Sequence, residues 1–223
     1  MKRGHRGASL VELLVGIAVG LFIVATTSFA TSNQLNDQRR LMLETQLEQE
    51  LRAAAEVVAR DLRRAGYWHD APAQIASAGE DANAFATVVA ADANSPGTSI
   101  SYAYSHRAEG ADDTVASDER TGVKLEGGVL KLLLGDGGWQ AMTDPNTVTI
   151  TAFRIGLNTQ QVPLADYCAS PCPAGSTTCP PVQEVRDVRI ELTGAAARAP
   201  GVTRSFSTQV RLRNDRFVGR CPA

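Results

Sequence analysis

A single carboxylate, Glu12, lies inside an apolar run that continues to about Ala30 and contains no other charged side chain. A charge inside a membrane-length segment costs about 2.5–3.5 kcal/mol on insertion scales, so a function is expected for it. As a helix, residues 8–30 would extend for about 34 Å, which is enough to cross a bilayer once. Glu12 is therefore the first candidate functional residue, and the chemistry it offers is pairing with a positive group at low dielectric.

The charges ahead of this run form a short basic leader, made of Lys2, Arg3 and Arg6. The leader ends at Gly7, and Ala8 begins the apolar segment. A conventional secretory signal has its small-residue cleavage site after the apolar region, whereas here a Gly–Ala junction precedes it. The positive leader predicts a cytoplasmic N-terminus, so the chain beyond the span should lie in the periplasm. The alternative is a plain signal anchor with Glu12 near the membrane edge.

The leader, Gly7, the sequence Ser9-Leu10-Val11-Glu12 and the apolar run resemble, in this order, the class III leader of type IV prepilins and of type II secretion pseudopilins. In that family the prepilin peptidase cuts after the glycine, and the apolar segment remains as the start of a long helix. The resemblance implies cleavage between Gly7 and Ala8. N-terminal methylation is less strongly implied, because Ala8 stands where most members have phenylalanine. Glu12 would dock a subunit in register by pairing with the new α-amine of another subunit.

Four cysteines are the other residues with distinctive chemistry, namely Cys168, Cys172, Cys179 and Cys221. Zinc is an alternative, but the usual pairs of C-x2–4-C motifs and the ligating histidines are absent. Prolines surround the first three cysteines, which indicates a rigid loop, and a periplasmic location favours oxidation. We therefore expect two disulfides, with all three possible pairings left open.

The remaining polar motifs do not predict a catalytic or metal site. The acidic residues Asp112, Asp113, Asp118 and Glu119 lack the spacing of an EF-hand, so a solvated acidic loop is expected. The segment Gly135-Asp136-Gly137-Gly138 lacks the Gly-Lys-Ser/Thr of a phosphate loop and predicts a turn. His69 beside Asp70 has no identifiable nucleophile. The sequence thus predicts no enzyme, no metal and no cofactor.

Composition bears on which classes of partner the protein can bind. The 223 residues carry a net charge of −2 and 5% aromatic residues, which argues against a polyanion partner for the whole molecule and against a base-stacking surface. We therefore expect no nucleic acid partner. The length allows one ordinary domain in addition to a membrane anchor.

A long helix is predicted to continue beyond the apolar run. The sequence there is rich in good helix formers, and no proline precedes Pro72. Apolar residues recur at intervals of three or four, which predicts one apolar stripe along the helix, made of Leu43, Leu47, Leu51, Ala54, Val58, Leu62 and Ala65. Gly66 is expected to end the helix as its C-cap. The helix therefore has a transmembrane half, residues 8–30, and an amphipathic periplasmic half, residues 31–66.

Beyond Pro72 the apolar pattern changes to a period of two, which predicts β-strands. The predicted strands are residues 99–104, 123–125, 129–134, 148–155, 185–192 and 206–212, with a hairpin at Glu126-Gly127-Gly128 and loops at 71–94 and 108–121. A sheet with one apolar face needs a cover, and the helix stripe supplies it. The expected fold is α+β, a type IV pilin-like lollipop in which the helix packs on an antiparallel sheet of a periplasmic domain, residues 67–223.

The sequence Arg60-Asp61-Leu62-Arg63-Arg64-Ala65-Gly66-Tyr67 resembles the helix-end signature D-x-R-x-A-G-Y of PilW-type minor pilins. Val210-Arg211-Leu212-Arg213-Asn214 resembles the last strand of that family. The signature charges could be solvated, or the arginines could hydrogen-bond the sheet or a neighbouring subunit. Tyr67 and Trp68 are expected to pack at the junction between helix and sheet.

The resemblance implies a structural subunit, a minor pilin that helps to initiate type IV pilus assembly and sits at or near the pilus tip. Its implied partners are the prepilin peptidase, other minor pilins, the major pilin, a tip adhesin and the inner membrane. J-type pseudopilins of type II secretion share the helix and a similar D-L-x-R element, so they are the close alternative. A membrane-anchored periplasmic ligand-binding module is a third.

Overall fold

The computed structural model describes residues 10–68, 83–90, 97–106 and 114–222. The chain divides into two compact units, residues 1–45 and residues 46–223, called here the N-terminal unit and the C-terminal unit. One α-helix in the described part, α1 (Leu10–Leu62), contributes to both units, and every described strand belongs to the C-terminal unit. The α+β class predicted from the sequence is confirmed.

The apolar stripe predicted for the second half of α1 is confirmed. Six of its seven members are buried, and Leu43 is half-buried. The buried residues of α1 are Leu47, Leu51, Ala54, Ala55, Val58, Ala59 and Leu62. The helix ends at Leu62, slightly before the predicted end, and a turn continues to Gly66. Gly66 has a φ of +76°, which is the left-handed conformation expected of a C-cap glycine.

The first sheet is antiparallel and contains five strands in sequential order, β1 (Val88–Ala90), β2 (Ser99–Ala103), β3 (Arg120–Glu126), β4 (Val129–Leu134) and β5 (Trp139–Ala141). The predicted hairpin joins β3 to β4, with Glu126 opposite Val129. Gly127 and Gly128 both have positive φ, as this tight turn requires.

The second sheet is also antiparallel and contains four strands, β6 (Val148–Pro163), β7 (Val182–Ala196), β8 (Ala199–Arg211) and β9 (Arg216–Val218). The central strand, β7, pairs with β6 on one side and with β8 and β9 on the other. The end of β8 alternates between its two faces, since Val210 is buried and Gln209 and Arg211 are exposed, and Leu212, the next residue, is buried. Both β6 and β7 run well beyond their predicted ends because cross-strand pairing continues past the apolar alternation.

The expectation of a single sheet is wrong, since the described strands form two sheets. The strands β1, β5 and β9 were not predicted, because three-residue segments carry too little periodicity to stand out. Strand β1 lies within the predicted loop at 71–94, where much of the remainder falls outside the described residues. Most of the first half of the predicted loop at 108–121 also falls outside them.

The main core lies between α1 and the inward faces of the strands. Gly194 of β7 marks a close approach, since a Cβ there would lie 3.1 Å from Leu51 Cδ2 and 3.0 Å from Val148 Cγ2. A smaller cluster forms beyond the helix end, where Trp68, Phe85 and Ala103 are buried together. This cluster holds the chain as it leaves the helix.

Candidate functional site

The N-terminal unit presents an apolar helix surface that the described part of the chain does not cover. Its large apolar side chains between Leu10 and Phe29 are 53–75% exposed. Among the described helices, α1 is the one long and apolar enough to cross a membrane as a single span. Glu12 lies exposed in its first turn and is the only charged residue of α1 before Asp37. The proposed cleavage junction, Gly7 and Ala8, lies outside the described residues.

The helix-end signature of the C-terminal unit lies where α1 meets β2. Tyr102 donates its hydroxyl proton to Asp61 Oδ2 at 2.5 Å, and Arg64 donates to Asp61 Oδ1. Arg64 also donates to the Tyr104 hydroxyl, and its guanidinium carbon lies 4.1 Å from the centre of the Tyr104 ring. Burial, together with the charge of Asp61, raises the pKa of Tyr102 far above its ordinary value, so this hydroxyl remains a donor. Asp61 therefore ties the helix end to the five-stranded sheet.

Gly66 and Asn214 complete the helix terminus. The Gly66 N–H donates to the Ala103 carbonyl at 2.9 Å, which extends the contact with β2. Asn214 Nδ2 donates to the carbonyls of Ala65 at 3.0 Å and Arg64 at 3.3 Å. These carbonyls belong to the turn that follows α1, where the helix itself supplies no partners. The signature is thus a joint that connects the end of α1 to β2 and to the segment that follows β8.

A buried arginine, Arg186 of β7, supports this joint and was missed from the sequence. It is 4% exposed and donates to the Asn214 carbonyl at 2.8 Å and to the Ala86 carbonyl. Burial lowers its pKa, and among the described residues its Nε has no partner. The sequence did contain an indication that Arg186 is buried, because it lies on the same alternating inward face of the predicted strand as Val188 and Ile190.

Two interpretations of the signature arginines were made from the sequence, namely solvated charges or hydrogen bonds to the sheet or to a neighbouring subunit, and each holds for some of them. Arg64 donates a hydrogen bond to Tyr104, the residue after β2, as the second interpretation required, whereas Arg60 and Arg63 are exposed. The predicted packing of Trp68 is confirmed, since it is 4% exposed. The same prediction is wrong for Tyr67, which is 47% exposed. Successive residues of the extended chain after the helix point to opposite sides, so only one of the two rings enters the core.

The four cysteines form two disulfides, Cys168–Cys221 and Cys172–Cys179, with Cα–Cα distances of 5.3 and 5.5 Å. The first bridge spans 53 residues and joins the C-terminal tail to the loop between β6 and β7. The second spans 7 residues and closes that loop on itself. The Arg220 N–H also donates to the Thr178 carbonyl at 2.7 Å, so the tail is held by backbone contact as well.

The metal alternatives find little support in this geometry. The sulfur atoms of Cys168, Cys172 and Cys179 lie within 4.8 Å of one another, but disulfide sulfur is not the thiolate that zinc requires. In the predicted acidic loop, Asp118 Oδ2 lies 3.2 Å from His106 Nε2. Glu119 is not solvated as expected: it is 3% exposed and accepts the Ala116 N–H at 3.1 Å. The other acidic residues of the loop, Asp112 and Asp113, lie outside the described residues, as do His69 and Asp70.

Comparison with known proteins identifies a family. Residues 40–212, which are more than half of the chain, match the family model described as prepilin peptidase-dependent protein B. The matched region contains most of the amphipathic half of the helix, the helix-end signature and strands β1 to β8. No curated protein and no solved structure matches the chain. The chain belongs to the family of prepilin peptidase-dependent protein B.

Proposed function

We propose that this protein is a minor pilin of the PilW type, a structural subunit that helps to initiate type IV pilus assembly at or near the pilus tip. The observation that carries the proposal is the pairing of a family match over the C-terminal unit with an uncovered apolar helix that holds one carboxylate. A subunit that first resides in a membrane and then packs into a helical bundle needs such a helix. Lipid and neighbouring apolar helices can both cover it.

The proposed site of subunit docking is Glu12. After removal of the leader, the α-amine of Ala8 on an incoming subunit would meet the Glu12 carboxylate of its neighbour. Each charge alone would be poorly solvated in an apolar bundle, so the pair favours one register of one helix against the next. The prepilin peptidase is the proposed processing enzyme, with other minor pilins, the major pilin and a tip adhesin as later partners.

We propose a single-pass position in the inner membrane, with the C-terminal unit in the periplasm and, after assembly, at the cell surface. The disulfides support this location, since such bonds persist in oxidising compartments. We propose no catalytic role. The best-defined polar cluster, made of Asp61, Arg64 and Tyr102, is engaged in contacts that hold the fold.

A J-type pseudopilin of type II secretion is the second candidate, because the same helix and leader would serve a pseudopilus. Deletion of the gene separates the two candidates. Loss or strong reduction of surface pili with normal secretion of type II substrates supports the minor pilin. Normal pili with failed secretion would assign the protein to the pseudopilus instead, and restoration by the full-length gene is the control.

Processing gives a direct test of the leader. We expect the mature chain to begin at Ala8, because the basic leader ends at Gly7 before an apolar helix that is retained. Intact-mass measurement or N-terminal sequencing of the membrane-extracted protein checks this result. A mature start near Ala30, as a conventional signal peptidase would leave, would contradict prepilin processing.

A further inference from the structure

A concave basic surface lies beside the helix end, within the C-terminal unit. Its deeper part is a cavity of about 520 Å³ whose lining includes Arg60, Arg63, Arg64, His106 and Arg213. A second cavity of about 390 Å³ shares Arg63 and Arg213 and continues along Gln209, Val210 and Arg211. The two cavities share lining residues and so form one groove, called here the arginine groove.

The positive charge of the arginine groove is only partly balanced by carboxylates in the described part of the chain. Arg64 pairs with Asp61, and Arg211 pairs with Asp215 at 3.0 Å. The other three arginines, Arg60, Arg63 and Arg213, form no ion pair with any described carboxylate. Guanidinium groups that converge from two separate segments repel one another, so an anionic occupant would stabilise the groove.

A buried hydroxyl in the same wall also lacks a partner. Ser105 is 3% exposed and lines the deeper cavity, and its Oγ forms no hydrogen bond with any described residue. Its backbone is fixed, since the Ser105 N–H donates to the Tyr67 carbonyl at 2.8 Å. A buried hydroxyl without a partner costs free energy, so this wall of the cavity contains an unsatisfied polar group.

The groove also follows the edge of a sheet. Strand β8 pairs with β7 on one side and has no described strand on its other side. Neighbouring residues of a strand point to opposite faces, so a cavity lined by Gln209, Val210 and Arg211 together lies along the strand edge. Edge strands expose backbone donors and acceptors that can pair with another extended chain.

We propose that the arginine groove binds an extended acidic peptide segment of another protein chain. Its backbone pairs with the edge of β8 near residues 209–211, and its carboxylates contact Arg63 and Arg213. The deepest carboxylate enters the cavity that Arg60, Arg64 and Ser105 line. A nucleic acid offers the same negative charge but has no backbone amides to pair with a strand edge, so the peptide fits the groove better. This binding does not depend on the minor pilin assignment.

The test uses the full chain in lipid nanodiscs and a fluorescent peptide of alternating glutamate and threonine, about nine residues long, which is a usual strand length. Fluorescence anisotropy should show saturable binding. The variant Arg63→Gln with Arg213→Gln should bind at least about tenfold more weakly, because truncating a charge pair removes that much or more. The matched control, Arg154→Gln with Arg198→Gln, removes the same charge at exposed positions outside the groove and should bind normally.

Two modified peptides and one oligonucleotide complete the design. Replacing glutamate by glutamine should abolish binding, and N-methylation of alternate amides should weaken it about tenfold by removing strand donors. Equal binding of the glutamine peptide, of the N-methylated peptide or by the groove variant would each overturn the proposal. Absence of saturable binding would do so as well. Tighter binding of a thymidine oligomer of matched charge would show that the groove is a nucleic acid site instead.

Discussion

The two parts of α1 differ in how their apolar side chains are covered. In the N-terminal unit the large apolar residues up to Phe29 stand more than half exposed around the helix. In the C-terminal unit, Leu51, Val58 and Leu62 are 0% exposed, and charged residues occupy the opposite face. One continuous helix therefore contains a part that the C-terminal unit buries and a part that the described residues leave exposed.

Paired truncations give the largest expected contrast between these parts. Leu51→Ala should lower the free energy of unfolding of the C-terminal unit by about 3–5 kcal/mol, because it leaves a cavity in a fully packed core. Leu21→Ala should leave that free energy unchanged, since Leu21 is 65% exposed. Both tryptophans, Trp68 and Trp139, lie in the C-terminal unit, so their fluorescence during denaturant unfolding of the full chain reports on that unit. Equal effects of the two substitutions would contradict the comparison.

Removing the disulfides tests how much these covalent links contribute to the stability of the C-terminal unit. Replacing Cys168 and Cys221 by serine should cost about 2–4 kcal/mol of unfolding free energy, because the unfolded chain regains the freedom of a 53-residue loop. Replacing Cys172 and Cys179 should cost less, since that loop spans 7 residues. The measurement is denaturant unfolding with and without reductant, and mass spectrometry of non-reduced peptides checks the pairing. A larger loss from the short loop would contradict the chain-entropy argument.

The joint at the end of α1 should have a smaller effect. Tyr102→Phe removes a partly buried hydrogen bond to a carboxylate and should cost about 1.5–3 kcal/mol of unfolding free energy at neutral pH. The matched control is Tyr67→Phe, at a ring that is 47% exposed, and it should cost almost nothing. Similar losses at both positions would mean that the Asp61 contact does not hold the joint.

The difference in unfolding free energy between the wild-type protein and Tyr102→Phe should depend on pH. Folding raises the pKa of Tyr102 above its ordinary value of 10.0, because the ring is buried and lies beside Asp61. The neutral hydroxyl therefore contributes full stability below pH 10, and this stability is lost as the pH rises above that value. The variant Tyr102→Phe has no such group, so its loss of unfolding free energy relative to the wild-type protein should become smaller as the pH rises from about 9 to 11. A constant difference across this range would contradict the raised pKa.

The smallest effect on the C-terminal unit is expected from Glu12→Leu. Unfolding of that unit and membrane insertion should be unimpaired, and insertion should become easier by up to about 2.5–3.5 kcal/mol. Pilus assembly should nevertheless fail, because the proposed docking pair is lost. Counting surface pili in a deletion strain that carries the variant checks this outcome. The conservative control is Glu12→Asp, and normal pilus numbers with Glu12→Leu would contradict the docking role.

Features that repeat along the chain could be read from the sequence. The helix stripe follows from the spacing of Leu47, Leu51 and Val58, and the hairpin follows from Gly127 and Gly128 between two apolar runs. Gly66 could be assigned as a C-cap because it ends a helical pattern. Local chain geometry decides each of these features, so a short window of sequence contains the necessary information.

Features that depend on long-range pairing could not be read in the same way. Nothing near Asp61 in the sequence indicates that Tyr102 will donate to it, since 41 positions separate them. The division into two sheets depends on which strands pair, and alternation alone is the same for either arrangement. The burial of Arg186 depends on carbonyls from two distant segments. The disulfide pairing likewise required the path of β9, which is only three residues long.

The contact between Asn214 and the carbonyls of Arg64 and Ala65 has a consequence for when the protein can fold. About 150 positions separate the side chain from the backbone that it caps. A growing chain therefore carries an incomplete helix end until Asn214 has been made. Native contacts at this separation form late because a long loop must close first. The C-terminal unit should thus acquire its stable form only after Asn214 has been made and has reached the end of α1.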